Sequence, residues 1–308
     1  MNSKRVTLIG SVDAGEKNDI SSLRQELSAS SDIEYKLVYW EDLVFDISLD
    51  GQRIIDSRTG QDLADTDHLI AMNWYKSGKQ KMYREVAYSL ALYLQSKKIT
   101  FWNEEMAAQR STSKLSSTML LALMGHDVPH TYYSLDSKKL LKSQEQNFPV
   151  IVKAAQASRG RDNYLVKDNN KLQEILNKSD AVNPYLIQEF IPNDSDVRII
   201  CVDSSPALAI KRQRTNDETH LNNTSQGAEA SLVDINKISP DIIQACSTIC
   251  ATMKRNIAGI DLIVASDSNR TVFLEVNSIP QLTSGVFIDQ KAQAISEKLK
   301  DALERNDT

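Results

Sequence analysis

The sequence predicts an α/β protein: an open α/β domain at the amino end, followed by lobes of strands and covering helices (α+β). Three observations carry this. Up to Ser96, short apolar runs alternate with helical periodicity, the pattern of a sheet covered by helices. Past Pro192 the character changes, and strand-length runs follow one another with turn chemistry between them. Finally, a chain of 308 residues, 41% hydrophobic and 25% charged, has length for roughly two domains and apolar content for a sizeable core.

The elements follow in order. Arg5–Gly10 (RVTLIG) reads as an apolar strand, Ile20–Ala29 as a helix and Glu34–Trp40 as a second strand. Asp50-Gly51 stands between two alternating runs, a strong hairpin signal. His68–Trp74 is another strand, and Tyr83–Ser96 places Val86, Leu90 and Leu94 on one helical face. FWN precedes the helix KLSSTMLLALMG, for which Gly125 is the C-cap, and His130–Ser134 is a short strand. Then come Phe148–Ala154, the polar loop QASRGRDN, Tyr164–Lys167, a helix from Lys171 and the strand PYLIQEF. DVRIICVD and PALAIKRQ flank a turn at Asp203–Pro206, and Arg214–Glu229 is polar and irregular and reads as a mobile loop. A helix at Pro240–Lys254, strands at Gly259–Ala265 and Thr271–Val276, and an amphipathic helix at Gln290–Leu303 complete the chain. The expected division is 1–108, 109–187 and 188–308.

Composition excludes several classes. A net charge of −5 argues against a protein whose task is coating nucleic acid or an anionic membrane. The apolar run before Asp13 is too short for a secretory signal, and no stretch reaches the ~18 uncharged apolar residues that span a bilayer. Three cysteines are too few for a disulfide framework. Cys246 and Cys250 lie one helical turn apart, but the four histidines are scattered, so buried apolar packing is preferred over a metal pair. A reducing cytoplasm is the expected location.

Several residues could carry chemistry. Glu275 and Asn277 share one face of a strand, and Asp261 lies on the strand before it. Such an all-oxygen cluster suits Mg²⁺, and read alone it is equally a solvated sheet face. Lys153 closes the run PVIVK, and Arg159, Gly160 and Arg161 follow in a loop that suits phosphate or is simply a basic surface. Lys114, after Arg110, is ordinary on its own. Gln188-Glu189-Phe190-Ile191 is an extended linker whose backbone edge could read an adenine, or a plain interdomain strand. Asp196 and Arg198 alternate on one strand; Lys211, Arg212 and Arg214 form a basic group suited to stabilising a transferring phosphate, or equally one that faces solvent.

Taken in order, these segments resemble the ATP-grasp superfamily, and most closely its RimK-like branch of ribosomal-protein glutamate ligases. VIVK, QEFIPNDSDVRI, GIDLIV and FLEVNSIPQL carry the resemblance, which runs from about Arg110 to Leu282. The order Asn73-Trp74-Tyr75, Arg84-Glu85 and FWN is similar to the peptide-crosslinking grasp ligases of the microviridin kind. The resemblance implies an ATP-grasp fold preceded by an α/β pre-grasp domain, with a central lobe carrying a phosphate lid and a catalytic, metal-binding third lobe. It implies ATP as cosubstrate, held by Lys114, Lys153, Arg159 and Gly160 at the phosphates and by Gln188, Glu189, Phe190 and Ile191 at adenine. Asp196 would fall near the ribose, and Asp261, Glu275 and Asn277 would ligate two Mg²⁺ ions, with Mn²⁺ an alternative. Arg198, Arg212 and Asn223 would serve the transferring phosphate.

The implied reaction makes an acyl phosphate from a carboxylate, then an amide or ester with an amine or hydroxyl acceptor on an amino acid, peptide or protein. A homo-oligomer is implied as well; neither nucleic acid nor membrane is expected as a partner. Two departures stand out. The lid has one glycine, Gly160, and the stretch aligned with the family's Arg-Gly-Gly segment is Gln226-Gly227-Ala228, without the arginine that suits glutamate. The rival expectations are an ATP-binding module that has lost turnover and a grasp-type phosphotransferase with another acceptor.

Overall fold

The computed structural model describes residues 4–11, 20–29, 33–71, 80–103, 114–141, 147–155, 162–178, 184–215, 222, 227–277, 280–282 and 285–305. The amino-terminal sheet has the order β2-β1-β5-β6, from β1 (Arg5–Gly10), β2 (Glu34–Tyr39), β5 (His68–Ala71) and β6 (Thr100–Trp102). All three of its pairings are parallel. Helices α1 (Ile20–Ala29) and α2 (Gln80–Ser96) supply the crossovers, as the alternating sequence predicts. The hairpin is β3 (Leu43–Ile47) and β4 (Gln52–Asp56), closed by a four-residue loop in which Ser48 donates to the Gly51 carbonyl at 2.9 Å. Gly51 does not take the left-handed conformation, so Asp50-Gly51 is half of a longer loop rather than a two-residue turn.

The second sheet runs β7-β10-β8-β9, built from β7 (Thr131–Tyr133), β8 (Val150–Ala154), β9 (Asn163–Val166) and β10 (Tyr185–Glu189), all antiparallel. α4 (Asn169–Asn177) covers it: Asp168 accepts from the Lys171 amide at 2.9 Å as its N-cap, and Leu172, Ile175 and Leu176 fill the underside. α3 (Lys114–Leu123) ends where Gly125, at φ +81°, lets His126 donate back to the Leu121 carbonyl, as the C-cap expectation requires. Leu121 of α3 packs in the core of the third sheet.

That third sheet has the order β13-β12-β11-β14-β15, with β11 (Ser195–Val202), β12 (Ser205–Gln213), β13 (Glu229–Val233), β14 (Ile257–Val264) and β15 (Thr271–Asn277). β13 is a strand that the irregular composition before it had concealed. Asp203 and Ser204, both at positive φ, make the two-residue turn between β11 and β12. On one face Ile199, Cys201 and Ile260 meet α5 (Pro240–Met253), which buries Cys246 and Cys250 as core residues. The opposite face bears Ile200, Val202 and Ile210, which join Val6, Leu8 and Trp102 of the first domain beneath α6 (Ile288–Arg305) in one apolar cluster. Asn103 seals this joint: its amide donates to Asn256 Oδ1 at 3.0 Å, and its own Oδ1 accepts from Ile257 at 2.9 Å.

Candidate active site

Strand registers bring the predicted polar residues together. Asp196 is opposite Arg212, Arg198 opposite Asp261, Asp261 opposite Glu275, and Gly259 opposite Asn277. Cross-strand partners share a face, so all six of these polar side chains lie on the face left clear by α5. A bulge between Asp261 and Leu262 shifts the pairing with β15 and sets Leu274 opposite no single residue. Leu274 then packs with Ile191, Ile263, Ala265 and Val272 beside the polar cluster. Sequence alternation alone hid Leu274, because it sits next to Glu275 and would be placed on the other face.

The charges interlock. Arg198 donates to both Asp261 oxygens, Nε at 2.6 Å and Nη2 at 2.7 Å. Arg212 does the same to Asp196, at 2.6 and 2.8 Å, and its Nη2 also lies 3.1 Å from Asp261 Oδ2. Asp196, Arg212 and Asp261 are each 6% exposed. At such burial an unpaired carboxylate would be strongly disfavoured, and the bidentate forks are what permit the ionised state. Burial alone would raise Asp261, yet Arg198 and Arg212 outweigh it and hold the carboxyl at about 2. Burial dominates at Asp196, with Asp261 adding to it, and its pKa is pushed up to about 6 despite Arg212. The Asp196 side chain is therefore an internal partner of Arg212.

Lys153 projects from β8 towards this cluster. Burial lowers its pKa; Glu275 and Asp261 act against that, and Lys114 reinforces it. Two lysines from different elements thus share the electrostatic neighbourhood of two carboxylates. The Glu275 carboxylate accepts no hydrogen bond from any described side chain, and Asn277 Nδ2 is buried without a partner among the described residues. A buried N–H donor with no partner among the described residues fits an acceptor supplied from outside the chain, such as a phosphate oxygen. Among the described residues no three Asp, Glu, His or Cys side chains converge. The donor set is two carboxylates and an amide, which fits a hard divalent cation that keeps phosphate and water in its shell.

In the linker the side chains turn to partners within the protein. Gln188, 4% exposed, donates from Nε2 to Thr131 Oγ1 at 2.9 Å. Glu189 accepts from Arg270 Nη2 at 2.6 Å and from the His130 amide at 3.3 Å. Both side chains are committed within the protein, while Ile191, 4% exposed, packs on Leu274 and Phe190 is half-buried. Arg159, Gly160 and Asn223 lie outside the described residues. Their neighbour Asn222 is buried, with Nδ2 donating to Asn193 Oδ1 at 2.8 Å, and Arg214 donates to the Asn193 carbonyl. The doubled asparagine in LNNTS was the only sequence signal for it.

The RimK-like ATP-grasp domain matches residues 111–299, more than half of the chain. The chain belongs to the RimK-like ATP-grasp family. A protein named "Probable alpha-L-glutamate ligase" from Alkalilimnicola ehrlichii (strain ATCC BAA-1101 / DSM 17681 / MLHE-1) is 30% identical over 185 residues, which are 58% of this chain and 60% of that protein. The chain thus spans less than two thirds of that relative. The ATP-grasp ligase PsnB, complexed with minimal precursor, Mg and ADP, superposes with a TM-score of 0.69 at 16% identity over 97% of this chain and 98% of that one. A RiPP-associated ATP-grasp ligase from Chryseobacterium gregarium, in complex with ADP and a leader and core peptide, gives 0.70 at 14% identity over 97% of each. These likenesses extend the ATP-grasp ligase fold through the amino-terminal domain, which the family match does not reach.

Proposed function

We propose that this protein is an ATP-dependent ligase that activates a carboxylate and joins it to an amine or hydroxyl, with a peptide as the substrate. The observation that carries the reading is the single sheet face on which Arg198, Arg212, Asp261, Glu275 and Asn277 converge beneath Lys153. Ile191 and Leu274 would offer an apolar surface to the nucleotide, and Lys114 and Lys153 would meet its phosphates. Asp261, Glu275 and Asn277 would hold Mg²⁺, which when bound neutralises charge on the β- and γ-phosphates. Asp261 Oδ1 accepts from Arg198 Nε alone among the described residues, so a lone pair on that oxygen is left for a cation while both guanidiniums stay in place.

A substrate carboxylate oxygen attacks the γ-phosphorus, the bond to the β-phosphate oxygen breaks, and ADP departs. Arg198 and Arg212 stabilise the charge on the transferring group by fixed donors rather than by mobile water. The acceptor then attacks the acyl carbon, phosphate leaves, and the acceptor's proton passes to solvent or phosphate. The peptide part of the reading draws on the shared fold with ligases described with precursor or leader and core peptides. The absence of an arginine in Gln226-Gly227-Ala228 supports it against free glutamate.

Isothermal titration of ATP, with Mg²⁺ and then with Mg²⁺ chelated, tests the reading. Binding that weakens sharply on chelation is expected, and Glu275→Ala should abolish ADP formation while the protein stays folded. No ATP binding under either condition, or unaltered turnover in that variant, would overturn the assignment.

A further inference from the structure

Between the last metal-ligand candidate and α6 the chain folds back on itself. Asn277 is paired with Gly259 across the strands, and three residues later Pro280 returns to cover the same glycine. A methyl group at Gly259 would stand 2.5 Å from Pro280 Cβ and 3.5 Å from Arg198 Cδ, so turn, strand and arginine stem meet at one point. Gln281 follows at φ +50°, a left-handed backbone that a glutamine adopts only when its surroundings hold it there. What holds it is Lys291, one turn into α6: its ammonium donates to the Gln281 carbonyl at 2.9 Å, and the side chain is 3% exposed.

A buried lysine is an expensive way to make a hydrogen bond to a carbonyl. Burial pulls its pKa down to about 8, and the positive charge of Arg198 acts in the same direction. An apolar helix residue would close the core here at less free energy, so position and charge both call for an explanation in the site.

We infer that Lys291 is a positioning residue for the metal-ligand end of β15: through the Gln281 carbonyl it holds Pro280 against Gly259 and so fixes Asn277 and the stem of Arg198. It touches neither nucleotide nor substrate. This rests on the ligase reading of the site and names a residue outside the face that carries it.

The test compares Lys291→Met, which keeps the volume and removes both donor and charge, with Lys291→Gln, which keeps a donor. Mg²⁺ is titrated into each protein at saturating ADP, and amide exchange is followed in the 280–287 segment without nucleotide. The Met variant should need about tenfold more Mg²⁺ for half-saturation and should exchange faster in that segment; ADP binding without Mg²⁺ should be unchanged. The Gln variant should recover most of both. A Met variant with wild-type Mg²⁺ midpoint and exchange would overturn the assignment, and so would equal damage in both variants. If the unaltered protein shows no Mg²⁺-dependent ADP binding, the ligase reading itself has failed; altered exchange with normal Mg²⁺ response would instead leave that reading intact and reduce Lys291 to a structural residue.

Discussion

His68 shows what one buried side chain does to the whole protein. It lies on β5 at 1% exposure, edge-on to the Trp102 ring at 4.8 Å, and neither ring nitrogen has a hydrogen-bond partner among the described residues. Burial lowers its pKa from 6.5 to about 4, with Asp67 opposing. The folded protein therefore binds this proton less readily than the unfolded chain. Stability is full above about pH 6.5 and falls as the pH drops towards 4, by about 3 kcal/mol for a shift of this size. Asp196, raised to about 6, titrates in the same window with the opposite sign. The informative measurement is thus the difference between denaturant unfolding of the native protein and of His68→Phe across pH 4–7. A shallower acid slope in the variant is expected; parallel profiles would mean that the imidazole is protonated in the fold.

At the scale of elements, β14 and β15 decide the site, and the approach of Pro280 to β14 explains why a small residue is needed at Gly259. Gly259→Ala places a Cβ where only displacement of Pro280 or of the strand can relieve it. Overpacking of that kind destabilises by about 1–3 kcal/mol, and a reduced urea midpoint with unchanged slope is expected. Much here was legible in the sequence. Parallel crossovers, the β11–β12 turn and the pairing of Asp261 with Glu275 all follow from local pattern, because alternation and turn residues report on neighbours in the chain. The Leu274 bulge, the commitment of Gln188 and Glu189 to Thr131, Arg270 and His130, and the Lys291 contact were not legible. Each depends on which distant element packs alongside, and no short-range periodicity encodes that. Asp196 illustrates the difference: its alternation with Arg198 placed it on the right face, but only the opposing strand shows that its partner is Arg212.

On the scale of the molecule, the apolar residues fall into unequal cores. The sheet of β7–β10 has its own cluster, in which Val150, Val152, Leu172 and Ile187 are buried together, whereas the amino-terminal and third sheets share one. A sheet that buries its apolar residues among themselves can open without dismantling the rest. Native-state hydrogen exchange should therefore give lower opening free energies for Val150–Ala154 and Tyr185–Glu189 than for Arg5–Gly10 and Ile257–Val264. Identical values throughout would mean a single cooperative unit.

The shared core has another consequence, one that concerns synthesis. Val6 and Leu8 of the first strand are covered by Ile295, Leu299 and Leu303 of the last helix. On the ribosome the amino-terminal strand is made long before α6, with which it shares that core. The part of that core that α6 supplies stays open to water, and to other chains, until α6 is made, so a product stalled or truncated before α6 would be prone to aggregate.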